Sequence, residues 1–291
     1  MIKPLYKWQG GKTKLLKSYE SIFITESFNT YVEPFFGGGA LFCKMFNENR
    51  FDKYIINDNN KYLMEIYKTI KNEDKVFGFL FMLREIEYEY LKLNINERKE
   101  YYYKKREEYH FLNEVITNIE SNDYLIQCSS ILFFLLKTSF NGLWQPMKTR
   151  SDLFGTAFGL GNEKKLFDYP LIIEWHRALQ KCDIYDLDYK ALNINNNSFI
   201  FCDPPYLDNT VKYGLENFNT NELLKWCEGK SFYNSVYMSN RYTKDSYYET
   251  FCDYSSKHVF DVFYTGGKKS VNQKKEVLIV WNKKQKTLIA A

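Results

Sequence analysis

Residues 199–206 of this 291-residue chain have the sequence FIFCDPPY. The apolar run that opens this stretch predicts a buried strand that ends just before Asp203. Pro204 and Pro205 cannot continue a sheet ladder, so the backbone leaves the strand at a rigid angle. Asp203 and Tyr206 are therefore expected at the carboxyl edge of a sheet, where open α/β folds bind ligands.

The same residues suit an exocyclic amine on a flat ring. The Asp203 carboxylate and the Pro204 carbonyl can accept hydrogen bonds from the amine, and the Tyr206 ring offers a face for stacking. An ordinary turn after a strand is the alternative explanation, and the rest of the chain must decide between them.

Composition narrows the class of protein. Hydrophobic residues make up 45% of the chain, enough for a sizeable core, and the net charge of +4 is compatible with a polyanionic partner without requiring one. The cysteines and histidines have no metal-ligand spacing, which indicates reduced thiols and no metal site. The N-terminus lacks the apolar core of a signal peptide, and the apolar run at 131–136 is too short to span a bilayer. The sequence therefore predicts a cytoplasmic protein without a membrane anchor.

Glycines mark two segments near the N-terminus. Residues 7–12 (KWQGGK) precede a helix expected over 15–24, and paired glycines between lysines favour an anion, although a plain basic turn is the alternative. Residues 31–39 (YVEPFFGGG) predict a strand end and a glycine-rich turn, followed by a helix over 40–47. Strand, glycine turn and helix form the arrangement that cradles nucleotides.

An acidic residue follows the next expected strand, over 53–56. Asp58 comes about 20 positions after the glycine turn, where an acid binds the hydroxyls of a ribose. Capping of the helix expected over 60–70 is the alternative role for Asp58.

The α/β alternation stops between 72 and 164. A charge-rich helical pattern surrounds 98–106, and an apolar helix is expected over 125–138. The turn signal Asn141-Gly142 then opens a hairpin or long loop with aromatic, amide and basic side chains. Such side chains insert between bases, read base edges and contact phosphates. The sequence therefore predicts a mainly helical insertion.

The α/β rhythm returns after the insertion. Strands are expected over 182–185, 235–240, 258–264 and 277–281, helices over 220–226 and 245–251, a loop over 206–218, and a basic turn at 265–269 to which Lys274 and Lys275 add charge. The chain is thus divided into one domain formed by 1–71 and 165–291, and an inserted domain at 72–164.

A glycine turn for a nucleoside, an acid for its ribose and a pocket for a ring amine together indicate methyl transfer from S-adenosylmethionine to a base. The lone pair of such an amine is conjugated with the ring, and hydrogen bonds to Asp203 and the Pro204 carbonyl would localise and aim it. Transfer then depends on positioning and electrostatics, and in duplex DNA on flipping the base out of the stack.

The order of the motifs resembles that of Dam-type DNA adenine-N6 methyltransferases over nearly the whole chain. The motifs are KWQGGK at 7–12, EPFFGGG at 33–39, Asn57-Asp58, FNGL at 140–143, DPPY at 203–206, Ser239-Asn240 and GGK at 266–268. The resemblance implies an α/β fold in which a Rossmann-like S-adenosylmethionine-dependent domain carries a helical target-recognition domain with a β-hairpin. It implies an adenine-specific DNA methyltransferase that acts as a monomer on double-stranded DNA without a metal, and it leaves a restriction endonuclease partner open.

The resemblance implies the cofactor set and the roles of Phe140 and Asn141, whereas the catalytic set and the other DNA-binding residues come from the residue types in DPPY and in the hairpin. The catalytic set is Asp203, Pro204, Pro205 and Tyr206; the cofactor set is Trp8, Lys12, Phe35, Gly37, Gly39, Asp58 and Asp203; the DNA-binding set is Phe140, Asn141, Gln145, Lys148 and Arg150.

The hairpin departs from the family's pattern. Members that methylate GATC tend to carry an arginine shortly after Asn-Gly-Leu, whereas Gln145 follows here, so that Lys148 or Arg150 takes that role or no residue does. The alternatives left open are a cytosine-N4 methyltransferase, an RNA adenine methyltransferase, and a catalytically silent DNA-binding relative.

Overall fold

The computed structural model of this protein describes residues 1–8, 12–24, 28–116, 121–147, 150, 153–205, 218–242, 255–265 and 271–281. The helices are α1 (Leu16–Glu20), α2 (Ala40–Asn47), α3 (Lys61–Lys71), α4 (Glu73–Lys92), α5 (Ile95–Ile116), α6 (Asn122–Thr138), α7 (Tyr169–Leu179) and α8 (Thr220–Lys230). The strands are β1 (Thr30–Glu33), β2 (Lys53–Asn57), β3 (Cys182–Tyr185), β4 (Ser198–Cys202), β5 (Ser235–Arg241), β6 (Ser256–Thr265) and β7 (Val271–Trp281).

Within these residues the strands form one sheet in the order β3-β2-β1-β4-β5-β7-β6. The first five run parallel, and β7 is antiparallel to both of its neighbours. Because β1 and β4 lie side by side and parallel, the segments that follow them open at the same edge of the sheet. The mixed α/β class expected from the sequence is confirmed, with a sheet consistent with a Rossmann-like methyltransferase fold.

The central strand β4 is buried along its full length. The ring of Phe199 stacks against Tyr31 of β1 at a centroid distance of 5.8 Å and against Tyr237 of β5 at 4.6 Å. A strand covered on both faces needs apolar residues at successive positions, which explains the unbroken run that precedes Asp203.

Helices cover both faces of the sheet. Phe42 of α2 and Trp175 of α7 pack in the core on one face, whereas Leu223 and Cys227 of α8 pack on the other. The carboxyl edge of the parallel strands is thus held between two packed layers.

The stretch 72–164 is mainly helical, as expected. Helix α6 packs on α3, α4 and α5, and its residue Phe134 belongs to the same core cluster as Phe42. Arg98 of α5 donates hydrogen bonds to the carbonyl oxygens of Leu91 at 3.1 Å and Gly161 at 2.8 Å. These contacts fix the start of α5 to the end of α4 and to the chain that returns towards α7.

Two expectations were wrong in detail. The helix expected over 15–24 ends at Glu20, and the N–H of Ile24 donates instead to the Tyr237 hydroxyl at 2.9 Å. Lys274 and Lys275 lie within β7 rather than in the turn, because the ladder with β6 continues past the apolar residues.

Several expected features lie outside the described residues. They are the glycines of KWQGGK, the helix at 245–251, and nearly all of the loop at 206–218 and the turn at 265–269.

Candidate active site

Asp203 lies directly after β4, where the two prolines end the strand. Lys12 Nζ lies 2.6 Å from Asp203 Oδ1, and the Ser239 hydroxyl of β5 donates a hydrogen bond to the same oxygen at 2.8 Å. Among the residues that the structure describes, none forms a hydrogen bond with Oδ2. One oxygen of the carboxylate is therefore fixed while the other is available to a ligand.

Lys12 begins a short 3-10 turn, Lys12–Lys14, and its side chain is only 3% exposed. Its ammonium also lies 3.8 Å from Oε2 of Glu276 on β7, a side chain that is 1% exposed. A buried cation is stable only when paired, and Lys12 lies between two carboxylates. The sequence interpretation included Lys12 and Asp203 but missed Glu276.

The environment of Asp203 acts on its charge in opposite directions. Burial raises the pKa of the Asp203 carboxyl above its ordinary value, and the Glu276 carboxylate adds to that effect. The Lys12 ammonium and the Ser239 hydroxyl lower the pKa. These two contacts therefore favour the ionised form at a site that otherwise opposes charge.

The expected glycine turn connects β1 to α2. Gly37 and Gly39 adopt positive φ angles of 49° and 64°, a region that favours glycine. A Cβ atom at Gly37 would lie 2.5 Å from Nε1 of Trp8, so only glycine leaves room for the indole. The structure thus brings together Trp8, Gly37 and Gly39, three of the residues predicted to hold a cofactor.

Asp58 lies directly after β2 and contacts this turn. Its Oδ2 accepts a hydrogen bond from the Gly37 N–H at 2.9 Å, and its Oδ1 accepts one from the Asn60 N–H at 3.0 Å. Burial raises the pKa of Asp58, and these backbone hydrogen bonds lower it. The cap of α3 is Asn60, whose Oδ1 accepts the Leu63 N–H at 3.1 Å. Helix capping therefore does not account for Asp58.

Two further residues at this edge escaped the sequence interpretation. The ring of Phe35 packs against two other aromatic rings. The distance between ring centroids is 5.2 Å to Tyr189 and 5.9 Å to Phe218. Glu33 ends β1 with its side chain buried, and it accepts a hydrogen bond from the Tyr31 hydroxyl at 2.7 Å. Burial raises the pKa of Glu33 well above its ordinary value. The strand end at Glu33 was a usable signal, whereas Tyr189 follows a polar stretch with no periodicity.

The turn after α6 presents two of the predicted DNA-binding residues. Phe140 is 51% exposed, and the exposed residue Asn141 has a positive φ of 56°. A Cβ atom at Gly142 would lie 2.8 Å from Cβ of Lys7, so the turn packs closely on the residue before Trp8. The N-terminal segment therefore contacts both this turn and the glycine turn.

Beyond the turn the chain forms a hairpin held by isolated bridges, Ser139 with Phe158 and Pro146 with Phe154. Gln145 is half-buried, and its carbonyl oxygen accepts the Gly155 N–H at 2.6 Å. Arg150 is exposed and donates to Glu114 Oε1 of α5 at 2.7 Å. Lys148 lies outside the described residues. The structure thus places Gln145 in one leg of the hairpin and holds Arg150 near α5.

Helix α5 supports the hairpin through its polar side chains. Tyr102 and Arg106 donate to the carbonyl oxygen of Thr156 at 2.9 Å and 3.1 Å. His110 Nε2 lies 2.8 Å from the Phe154 carbonyl oxygen, which can only accept, so Nε2 carries the proton. Burial lowers the pKa of His110. The charge-rich helix therefore has an anchoring face as well as a solvated one.

The described residues contain neither a cluster of metal ligands nor a membrane-spanning helix. In the part of the chain that is described, no three His, Cys, Asp or Glu side chains are grouped as metal ligands. None of the helices there is long and apolar enough to cross a bilayer. The cysteines at 43, 128, 182, 202 and 227 are buried free thiols.

Known proteins resemble this chain over most of its length. Residues 8–266 match the family described as D12 class N6 adenine-specific DNA methyltransferase. The type II methyltransferase M.MjaIII of Methanocaldococcus jannaschii is 30% identical over 282 residues, which cover 89% of this chain and 91% of that protein. The type II methyltransferase M.CviBI of Paramecium bursaria Chlorella virus NC1A is 28% identical, with 76% and 75% covered. A DNA adenine methylase of Vibrio cholerae is 26% identical, with 69% and 64% covered.

Proposed function

Because this chain belongs to the D12 class of N6 adenine-specific DNA methyltransferases, we propose that it transfers a methyl group from S-adenosylmethionine to N6 of an adenine flipped out of double-stranded DNA. The observation that carries the proposal is the half-engaged carboxylate of Asp203. Its Oδ1 is held by Lys12 and Ser239, which leaves Oδ2 to accept a hydrogen bond from the amine.

Asp203 and the proline after it orient the target amine. Oδ2 of Asp203 accepts one N6 hydrogen, and the Pro204 carbonyl oxygen is the second proposed acceptor. With both hydrogens engaged, the nitrogen lone pair is aimed rather than delocalised into the ring, which is catalysis by positioning and electrostatics. Tyr206, outside the described residues, is proposed to stack on the flipped base.

The glycine turn fits the proposed methyl donor. Gly37 leaves no room for a side chain because the Trp8 indole occupies that space, so glycine is needed for Trp8 to pack against the turn. Asp58 offers a carboxylate for ribose hydroxyls, and the half-buried ring of Phe35 offers an apolar wall. When bound, S-adenosylmethionine supplies a methyl group carried on a cationic sulfur. Trp8, Lys12, Phe35, Gly37, Gly39, Asp58 and Asp203 are the residues proposed to hold it.

The hairpin after α6 is proposed to contact the DNA. Phe140 and Asn141 are exposed at its first turn, and an exposed aromatic ring beside an amide suits insertion at a displaced base pair. Gln145, Lys148 and Arg150 are the proposed contacts to base edges and phosphates. On this view 72–164 is the target-recognition domain, and 1–71 with 165–291 is the catalytic domain. The enzyme is proposed to act as a monomer, and a restriction endonuclease partner is left open.

The deciding experiment is methylation of DNA of varied sequence with purified protein and S-adenosylmethionine, read at single-base resolution. N6-methyladenine within one short motif is expected. Asp203→Ala should abolish it while leaving the fold and non-specific DNA affinity largely intact. Near-normal turnover by that variant would contradict the assignment, and N4-methylcytosine in a nucleoside digest would replace adenine as the target.

The recovered motif also tests the hairpin. A GATC motif would mean that guanine is read without the arginine that Gln145 replaces, whereas a shorter or degenerate motif would mean that this change relaxes specificity. Methylation of RNA alone would indicate an RNA adenine methyltransferase. Methylation of neither DNA nor RNA would indicate a catalytically silent DNA-binding relative.

A further inference from the structure

Strand β7 brings a second buried acid to the Asp203 site. In the ladder with β5, Ser239 is opposite Leu278 and Arg241 is opposite Glu276. Side chains two positions apart in a strand project from the same face. Glu276 therefore lies on the face from which Ser239 reaches Asp203, one step nearer to the carboxyl edge of the parallel strands.

The Lys12 ammonium lies between the two acids. It is 2.6 Å from Oδ1 of Asp203 and 3.8 Å from Oε2 of Glu276. Lys12 and Glu276 are almost fully buried, whereas the Asp203 side chain is 22% exposed. Water therefore cannot reach the Lys12 ammonium or the Glu276 carboxylate, whereas the Asp203 carboxylate is open to a ligand.

We propose that Glu276 is a positioning residue that shares the Lys12 ammonium with Asp203, so that Lys12 engages only Oδ1 of the Asp203 carboxylate. This proposal rests on the proposed function of Asp203 as the acceptor of the target amine. An ammonium with Asp203 as its one partner would draw that carboxylate into a closed ion pair. A second buried carboxylate shares the charge, so Asp203 stays anchored by one oxygen and keeps the other free to accept hydrogen bonds.

Other groups also face Asp203, and any titration must be interpreted with them in place. They are Glu33 at the end of β1, the Cys202 thiol of β4, Ser239 of β5, Lys12 and Glu276. Arg241 lies opposite Glu276 in the ladder. Burial and the Glu276 carboxylate raise the pKa of Asp203, whereas Lys12 lowers it. Removing the charge of Glu276 should therefore lower the pKa of Asp203.

The test uses Glu276→Gln, which keeps the shape of the side chain and removes its charge. The control is Asp261→Asn, which makes the same charge change at an exposed position of β6 opposite Lys275. The first readout is the titration of Asp203 in the intact 291-residue chain without ligands. NMR of 13C-labelled aspartate carboxyl groups monitors this titration. The Asp203 signal is assigned by its absence from the spectrum of Asp203→Asn. The second readout is the pH profile of kcat on DNA.

For Glu276→Gln the Asp203 titration and the acid limb of kcat should both move to lower pH, and kcat should fall about 10- to 100-fold through loss of positioning. Asp261→Asn should change neither. If Glu276→Gln does not fold, Glu276→Met fills the same volume without a polar group and takes its place.

An unchanged Asp203 titration in Glu276→Gln overturns the proposal whatever the activity. A loss of kcat with an unmoved acid limb would make Glu276 a purely structural residue and would also overturn it. A wild-type protein that methylates no DNA would refute the proposed function, while the ligand-free titration would still decide whether Glu276 acts on Asp203.

Discussion

Replacing Lys12 with methionine removes the cation from a buried site that holds two carboxylates. Methionine preserves much of the length and packing of the lysine stem, so the main change is electrostatic. Glu276 is 1% exposed and Asp203 22% exposed. Removing one partner of a buried ion pair costs about 3–5 kcal/mol, and the partial exposure of Asp203 favours the lower end, about 3 kcal/mol.

The assay is urea denaturation at pH 7.5, with Lys190→Met as the control. Lys190 Nζ lies 3.2 Å from Glu222 Oε2, but both side chains are 53% exposed. A solvated ion pair of this kind contributes little to stability, so the free energy of unfolding of Lys190→Met should equal that of the wild type within experimental error. The same substitution is thus compared at a buried and an exposed ion pair.

The loss of unfolding free energy in Lys12→Met should also depend on pH. The Lys12 ammonium lowers the pKa of Asp203, so its removal raises that pKa further above the unfolded value. An acid whose pKa is higher in the folded state binds more protons there, and folding stability then falls as pH rises through the window between the two values. The deficit of Lys12→Met should therefore narrow as the pH is lowered from neutral towards 5. The ion-pair explanation would be refuted if Lys12→Met and Lys190→Met lost the same free energy of unfolding. It would also be refuted if the difference between Lys12→Met and the wild type did not change with pH.

Gly37→Ala should lower the free energy of unfolding by about 2 kcal/mol and weaken S-adenosylmethionine binding measured by calorimetry, because its Cβ would meet Trp8 at a positive φ. The matched control is Gly229→Ala, at an exposed helical position with nothing within 4 Å of the new Cβ. This change should stabilise the protein by about 0.5–1 kcal/mol. A Gly37→Ala protein more stable than Gly229→Ala would contradict the argument that the turn at Gly37 packs closely on Trp8. Burial lowers the pKa of His110, so its contribution to stability is present above about pH 6.5 and is lost as pH falls below that value. Urea denaturation of His110→Gln between pH 5 and 7.5 should show a shallower dependence on pH than the wild type, and an unchanged slope would exclude His110 as its source.

Much of the site could be predicted because its elements are local in sequence. The strand before Asp203 is buried on both faces, so it is a continuous apolar run bounded by prolines. The turn at Gly37 and Gly39 requires positive φ angles, and the glycines mark it directly. The acid at Asp58 follows its strand at the expected spacing, and α2 has the predicted bounds.

The residues that were missed depend on contacts between distant parts of the chain. Glu276 reaches Lys12 because β7 lies between β5 and β6, an order that no local pattern encodes. The sequence predicts this strand only from Val277, where the apolar residues begin, so Glu276 falls outside the predicted strand. The ladder with β6 continues to Val271, which turns Glu276 into a strand residue on a buried face.

The N-terminal segment has a thermodynamic consequence. Lys7 packs against Gly142 of the hairpin turn, Trp8 packs against Gly37, and Lys12 pairs with Asp203. Three residues within six positions of the chain thus border the proposed DNA surface, the proposed cofactor cradle and the proposed catalytic acid. A ligand that fixes the side chain of Lys7 or Trp8 on one side leaves less side-chain freedom to be lost when the second ligand binds. DNA and S-adenosylmethionine should therefore bind cooperatively, and each should raise the affinity for the other by the same factor.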